Sequence, residues 1–366
     1  MKSNASAYRG AVSHVSTITS LEPGTIYDRV WQPHIQHWGG EHLLATWGHH
    51  LTGKMDMGDI QCAVSRDGGQ SWLPPVTVFD HRERFGGIRF AYANSVLYRA
   101  PGQDIIWCYA IRCPLHYCDS EDSQLCAAYT ADGGWSWTPV EVANHVHSAL
   151  MTTAAPIKVG DRYLLPLGRN TIRHDPHGDA RTFVLESTDL ISWKLAGFVP
   201  FDLENPVLLC EAGIARTDES TLTMVMRTGI YGHKKWGPLE PPRAYSSQST
   251  DGGRTWSQAK PETKLFNASS KGFYSKDSRG CEIYIYNSCR ERKALHYCLR
   301  RPGEDWSEPA PFYDDGHLNS YATLVEQPDN PGVHWCVWDG SDSPDRKRTA
   351  IRFGILDLTG NARTRE

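Results

Sequence analysis

Thr130-Ala-Asp132-Gly-Gly134-Trp-Ser-Trp137 is the stretch on which the fold turns. It recurs as Ser65-Arg-Asp67-Gly-Gly69-Gln-Ser-Trp72 and as Ser249-Thr-Asp251-Gly-Gly253-Arg-Thr-Trp256. Ser187-Thr-Asp189-Leu-Ile-Ser-Trp193 is one residue short and lacks the glycines, and Arg301-Pro-Gly303-Glu-Asp305-Trp306 keeps the turn and the ring. The five tryptophans are spaced by 65, 56, 63 and 50 residues. Each copy reads as a tight hairpin. Asp followed by Gly-Gly supplies left-handed turn positions, the Ser/Thr and Asp oxygens can accept turn amides, and the tryptophan packs the hairpin onto its own sheet.

Around these hairpins the chain is built from short β-rich runs such as His42-Leu-Leu-Ala-Thr-Trp47, Ile105-Ile-Trp-Cys-Tyr-Ala110 and Cys281-Glu-Ile-Tyr-Ile-Tyr286. The 32 glycines and 22 prolines punctuate these runs and do not gather into a linker, and no amphipathic helical pattern lasts three turns. The pattern predicts an all-β fold. A second repeat runs in register with the first: second strands stop at Trp47-Gly-His-His50, Arg112, Arg169, Arg227, Asn287 and Asp339. Six such units, about sixty residues each, fill the 366 residues. The last unit, from about His317, has no such hairpin, and a strand around Ala11–Ser20 is expected to complete its sheet and close the ring.

The repeated hairpin is the Asp box, and most of the chain resembles the sialidase superfamily of β-propellers. The resemblance implies a six-bladed propeller with four-stranded antiparallel blades, in a single domain over residues 1–366. Asp-box serines, aspartates and tryptophans read as structural, because the motif marks a fold and not a chemistry.

Composition narrows the function. With 38 basic and 42 acidic side chains the net charge is −4, which removes the global electrostatic case for nucleic acid or an anionic membrane. No run approaches eighteen apolar residues, so no membrane-spanning helix is expected. The first ten residues carry no apolar segment of a secretory signal, so the chain is expected in the cytoplasm, or secreted if a leader has been removed. Of the ten cysteines, Cys62, Cys108, Cys210, Cys281 and Cys336 lie in apolar runs and read as buried thiols. Cys113 and Cys118 flank a turn as a single Cys-x4-Cys pair, too little for a metal site. No cofactor and no metal is expected.

Arg112, Arg169 and Arg227 end equivalent strands in three successive units. Guanidinium groups facing one axis would repel if empty, whereas a carboxylate accepts paired bonds from them, so an acidic sugar is the natural ligand. The sialidase resemblance implies roles for further residues. Glu211, in Cys210-Glu211-Ala212-Gly213, precedes a substrate-binding arginine, Arg227. Tyr321, in Asn319-Ser-Tyr321-Ala-Thr-Leu324, stands as the nucleophile, with Glu211 taking its proton. Asp56, or in second place Asp59, is the acid/base before the first Asp box. Two positions depart from the family. Trp31 stands where the first arginine of a carboxylate-binding triad belongs, with Arg29 two residues away, and Lys271 is the cation in the fifth unit.

His34, His49 and His50 also fall on the first unit's central loops. They keep open a second reading, a polysaccharide lyase or rhamnosidase acting beside a uronic acid with histidine at the reacting centre. The readings are therefore an exo-acting glycosidase of sialidase type on an oligosaccharide or glycoconjugate with a terminal acidic sugar, that lyase or rhamnosidase, and a non-catalytic glycan- or protein-binding propeller.

Overall fold

The computed structural model describes residues 10–360 apart from 55, 116–122, 145–149, 170–181, 201, 203, 206, 231–238 and 344–347. Every regular element among the described residues is a β-strand. Three sheets have four strands. One runs in the order Val207–Arg216, Leu222–Ile230, Arg243–Ser249, Lys260–Phe266, and the next Phe273–Lys276, Glu282–Asn287, Leu295–Arg300, Ala310–Tyr313. The third joins the two ends of the chain in the order Val12–Ser20, Ala350–Asp357, Val333–Gly340, Asn319–Glu326. Val12 faces Leu356 and Ser20 faces Ala350, so the N-terminal strand completes the last sheet.

The expectation of six four-stranded blades is corrected. The described strands form five sheets, and only three of them are four-stranded. A six-stranded sheet carries Arg162–Arg169, Thr182–Ser187 and Ser192–Phe198 with three short strands. A nine-stranded sheet fuses what the sequence reads as the first two units. The join is one pair, Gly58 opposite Tyr92. On its other side Gly58 faces the strand His42–Leu51, where a Cβ would sit 2.1 Å from the His49 carbonyl, so only glycine fits there.

The sheets stack face to face around a ring, each burying apolar side chains against the next. Leu164 and Val184 meet Ile214, Met224 and Trp256. Val225 and Ala244 meet Tyr274, Tyr284 and Trp306. The ring closes where Ile35, Leu43 and Ala45 pack on Trp335, Val337 and Phe353. Each of these side chains points between sheets because alternate strand residues face opposite sides.

The Asp boxes form the hairpins that the sequence specifies. Ser65 Oγ donates to Asp67 Oδ1 at 2.8 Å and accepts the Gly69 amide at 2.8 Å. Thr130 with Asp132, Ser249 with Asp251, and the shortened Ser187 with Asp189 repeat the first bond at 2.8, 2.8 and 2.9 Å. The nine described cysteines are all free. Cys118 lies outside the described residues.

A feature absent from the sequence reading shapes the centre. Four innermost strands carry a β-bulge, between Trp31 and His34, Ala93 and Val96, Cys210 and Gly213, and Ser320 and Thr323. In each bulge one non-glycine residue is left-handed: Gln32, Asn94, Glu211 and Tyr321, with φ of 51°, 56°, 47° and 52°. A bulge leaves its residue out of the ladder and re-aims its side chain. In three sheets the polar residue ending the second strand then bonds the innermost segment of its own sheet. Arg227 holds Glu211, Asn287 accepts from Ser270, and Asp339 accepts from Ser320.

Candidate active site

The bulged strands bring Glu211 and Tyr321 to the centre, and both are buried. Arg227 Nη1 donates to Glu211 Oε2 at 2.6 Å, and Arg227 Nη2 reaches Ser269 Oγ at 3.5 Å. Burial works against the Arg227 charge, yet Glu211 outweighs it and the guanidinium is held more firmly protonated than usual. Across from this pair Arg292 Nη1 donates to the Tyr321 phenol oxygen at 2.7 Å, and Nη2 donates to the Ser269 carbonyl. Burial pushes the Tyr321 phenol up, Arg292 draws it back, Glu211 adds to the rise, and Arg227 and Arg348 again oppose it. The phenol thus lies within electrostatic reach of one carboxylate and three guanidinium groups.

Arg348 arrives from the hairpin between Val333–Gly340 and Ala350–Asp357. Its carbonyl accepts the Val30 amide at 2.8 Å, which pins the hairpin to the first unit. Its guanidinium lies 4.2 Å over the Trp31 ring and 5.7 Å from the Tyr321 ring. Nε donates to Asp339 Oδ2 at 3.1 Å. Asp339 is fully buried and also accepts from Ser320 Oγ at 3.0 Å, next to Tyr321. Burial pushes its carboxyl up to about 6, against the pull of Arg348, Ser320 and Arg292. Trp31 itself stacks obliquely on Tyr321 with 5.3 Å between ring centroids.

The other residues singled out in the sequence divide. Asp56 is linked to this cluster through Arg29, whose guanidinium lies 5.7 Å from the Trp31 ring: Arg29 Nη1 donates to Asp56 Oδ1 at 3.1 Å, and the Asp56 side chain is 42% exposed with a φ of 53°. Asp59 is buried and committed, accepting from the Tyr27 hydroxyl and, at 2.7 Å each, from the His81 amide and His81 Nδ1. His49 stacks on Tyr27 at 3.8 Å. His50 packs on Trp31, both its ring nitrogens are occluded and without a partner among the described residues, and burial with Arg29, Arg348 and His49 keeps it neutral. A histidine sealed in this way offers no nitrogen to a substrate. His34 is buried and neutral, its Nδ1 accepting the Leu97 amide at 3.2 Å, and burial together with Lys271 drives its pKa down to about 3. Lys271 is buried beside Glu211 and Asp339.

Arg112 takes another course. Its guanidinium lies 4.5 Å from the Phe85 ring and 4.7 Å from Phe90, and it donates to Gln124 and Glu141. Among the described residues none of these partners belongs to the group around Tyr321. Arg169 ends its strand opposite Leu150, and its side chain lies outside the described residues.

Sequence reasoning missed Arg292, Arg348 and Ser269, and read Asp339 only as a strand end. Their signal is conformational. Ten non-glycine residues among those described have positive φ, and Asp56, Glu211, Ser269, Arg292, Tyr321 and Arg348 are six of them. Each such residue costs about 1–3 kcal/mol of backbone strain, and strain gathers where geometry serves chemistry.

The BNR repeat-like domain family matches residues 41–334. No curated protein matches the chain. Among solved structures, the NanB sialidase of Streptococcus pneumoniae superposes with a TM-score of 0.69 at 12% identity, over 94% of this chain and 70% of that one. The leech intramolecular trans-sialidase gives 0.69 at 14% identity, over 94% and 70% of the two chains. The alpha-L-arabinofuranosidase of Fusarium graminearum gives 0.67 at 14% identity, over 95% and 99%. At these identities the likeness is one of fold.

Proposed function

The chain belongs to the BNR repeat-like domain family, and on that premise we propose that it is an exo-acting glycoside hydrolase of sialidase type, removing a terminal acidic sugar from an oligosaccharide or glycoconjugate. The observation that carries this reading is the Tyr321 phenol, bonded by Arg292 and lying in the field of Glu211, Arg227 and Arg348.

In this reading the sugar carboxylate lies against Arg227 and Arg292, whose planar donors suit a carboxylate. A neutral phenol approaches an anomeric carbon that bears its own carboxylate more readily than a second carboxylate would, and sialidases are the exception to the two-carboxylate scheme for that reason. Glu211 takes the phenol proton as the Tyr321 oxygen bonds to the anomeric carbon, and the bond to the aglycone oxygen breaks. Asp56, held by Arg29 at the exposed wall, protonates the departing oxygen. Water then attacks the glycosyl-tyrosine with Asp56 as base, the sugar leaves with retained configuration, and the proton returns to Tyr321. Arg292 stabilises the phenolate at both ends of the cycle by donating to its oxygen.

The test is a substrate panel of an aryl sialoside, a rhamnose-capped glucuronide and an aryl arabinofuranoside, read for released aglycone and for ultraviolet absorbance. Aglycone from the sialoside supports the reading. An ultraviolet-absorbing unsaturated uronate from the glucuronide alone would replace it with the lyase, and silence throughout would favour a binding propeller.

A further inference from the structure

Lys271 stands apart from the other cations of the cleft. Arg227 is paired with Glu211 and Arg348 with Asp339, while Arg292 bonds the Tyr321 oxygen and the Ser269 carbonyl. Arg29 is shared by Asp28 and Asp56. The Lys271 ammonium has no hydrogen-bond or ion-pair partner among the described residues, although the residue is only 5% exposed. Its nitrogen is not among the fully occluded polar atoms, so the ammonium keeps a small accessible surface. The titratable groups that face it are Glu211 and Asp339, each already neutralised by an arginine, and the neutral His34.

The loop that presents Lys271 is fixed in place. Asn267 Nδ2 donates to the Ser270 carbonyl at 3.0 Å and to the Tyr284 hydroxyl at 3.1 Å, and Asn267 Oδ1 accepts the Ser269 amide. Ser270 Oγ is anchored on Asn287 at 2.9 Å. A Cβ on Gly272 would meet the Tyr284 ring at 2.5 Å, so the chain lies flat on that ring immediately after Lys271. Holding an unpaired ammonium out of water is unfavourable, and such a group persists where a ligand supplies the missing charge. Arg227 and Arg348, tied to carboxylates, carry little net charge toward an incoming anion, whereas Lys271, like Arg292, carries all of its own.

We propose that Lys271 is the residue that selects an anionic over a neutral sugar in this cleft, its ammonium binding the sugar carboxylate from the floor. The assignment rests on the acidic-sugar reading above and deepens it. Lysine gives a point charge with three movable donors, which complements the planar donors of Arg227 and Arg292 without competing for their fork geometry. Burial lowers the Lys271 pKa to about 8, against the pull of Glu211 and Asp339. Binding of an anion through it therefore weakens as pH rises through that value and the ammonium discharges.

Calorimetric titration with free N-acetylneuraminic acid, its methyl ester and glucuronic acid, on the wild type and on Lys271→Met and Lys271→Arg, tests this. The wild type is expected to bind an acid and to lose affinity above about pH 8. Lys271→Met should weaken acid binding roughly ten- to a hundredfold and leave the ester within about twofold, while its melting temperature stays level or rises, since a buried unpaired charge has gone. Lys271→Arg should keep the acid preference and lose the alkaline limb. Acid binding by Lys271→Met within twofold of wild type overturns the assignment, as does an equal loss for acid and ester. A wild type that binds neither acid overturns the acidic-sugar reading itself, and Lys271 falls with it. Should Lys271→Met fail to fold, an alkaline limb that persists in Lys271→Arg overturns the assignment.

Discussion

Arg292 Nη1 lies 2.7 Å from the phenol oxygen of Tyr321, a bond between a loop and a strand bulge 29 residues apart. Both residues have left-handed backbones, with φ of 57° and 52°. The Asn319 amide donates to the Arg292 carbonyl at 2.7 Å, so the loop is tied to the strand that carries the tyrosine. A guanidinium that donates to a phenol oxygen favours the phenolate. Arg292→Ala is therefore predicted to lower kcat about a hundredfold or more, the scale of one lost donor at a developing anion, in steady-state assays with a hydrolysed aryl glycoside.

Glu211 and Arg227 form the buried ion pair beneath that site. Removing one partner strands the other charge, so Glu211→Gln and Arg227→Met should each cost about 3 kcal/mol in urea unfolding. Glu211→Gln combined with Arg227→Met should cost clearly less than the two together. Additive losses would show that the two charges are not coupled.

The Asp boxes predict resistance to acid. Asp132 and Asp251 are each lowered to about 2; burial opposes this, and hydrogen bonds from Ser136 and Thr130, and from Thr255 and Ser249, outweigh it. A depressed folded pKa contributes stability above the unfolded value near 3.9, and that contribution is lost as pH falls through about 2. Asp132→Asn and Asp251→Asn should therefore lower the melting temperature at pH 6 and shift the acid-unfolding midpoint upward, with activity per folded molecule retained. Loss of turnover at unchanged melting temperature would contradict a purely structural role.

Asp339 gives binding a pH dependence of opposite origin. Its carboxyl is pushed up to about 6 by burial, so it is ionised at pH 7.5 and largely protonated at pH 5. Protonation removes a negative charge beside Arg348 and Lys271 and leaves the cleft more positive. Affinity for an acidic sugar should thus strengthen as pH falls through about 6, and Asp339→Asn should flatten that limb in calorimetric titrations. An unchanged limb in the variant would assign it to another group.

The sequence made the hairpins legible because their chemistry is local: Ser65, Asp67 and Gly69 bond within five residues. Glu211, Arg227 and Tyr321 were singled out through resemblance, and the structure places them near one another. Arg348 was not, since its approach to Trp31 depends on a hairpin that crosses to the first unit at Val30. Nor was Arg292, because a left-handed arginine carries no glycine to announce its turn. Arg112 shares its strand-end position with Arg227, yet Phe85 and Phe90 supply it with ring contacts inside its own sheet. The merging of the first two units through Gly58 and Tyr92 is a matter of backbone spacing that no side-chain pattern records. Strained sites of this kind are where local sequence rules give way to geometry imposed by distant packing.

Mass spectrometry of the protein after reaction with a difluorinated acidic sugar, which forms the glycosyl-enzyme quickly and hydrolyses it slowly, tests the central claim most directly. The account predicts a mass increase of one sugar, mapped to the peptide that carries Tyr321 and absent from Tyr321→Phe, a variant that should still bind the acidic product. An adduct on any other residue, or full turnover by Tyr321→Phe, would contradict it.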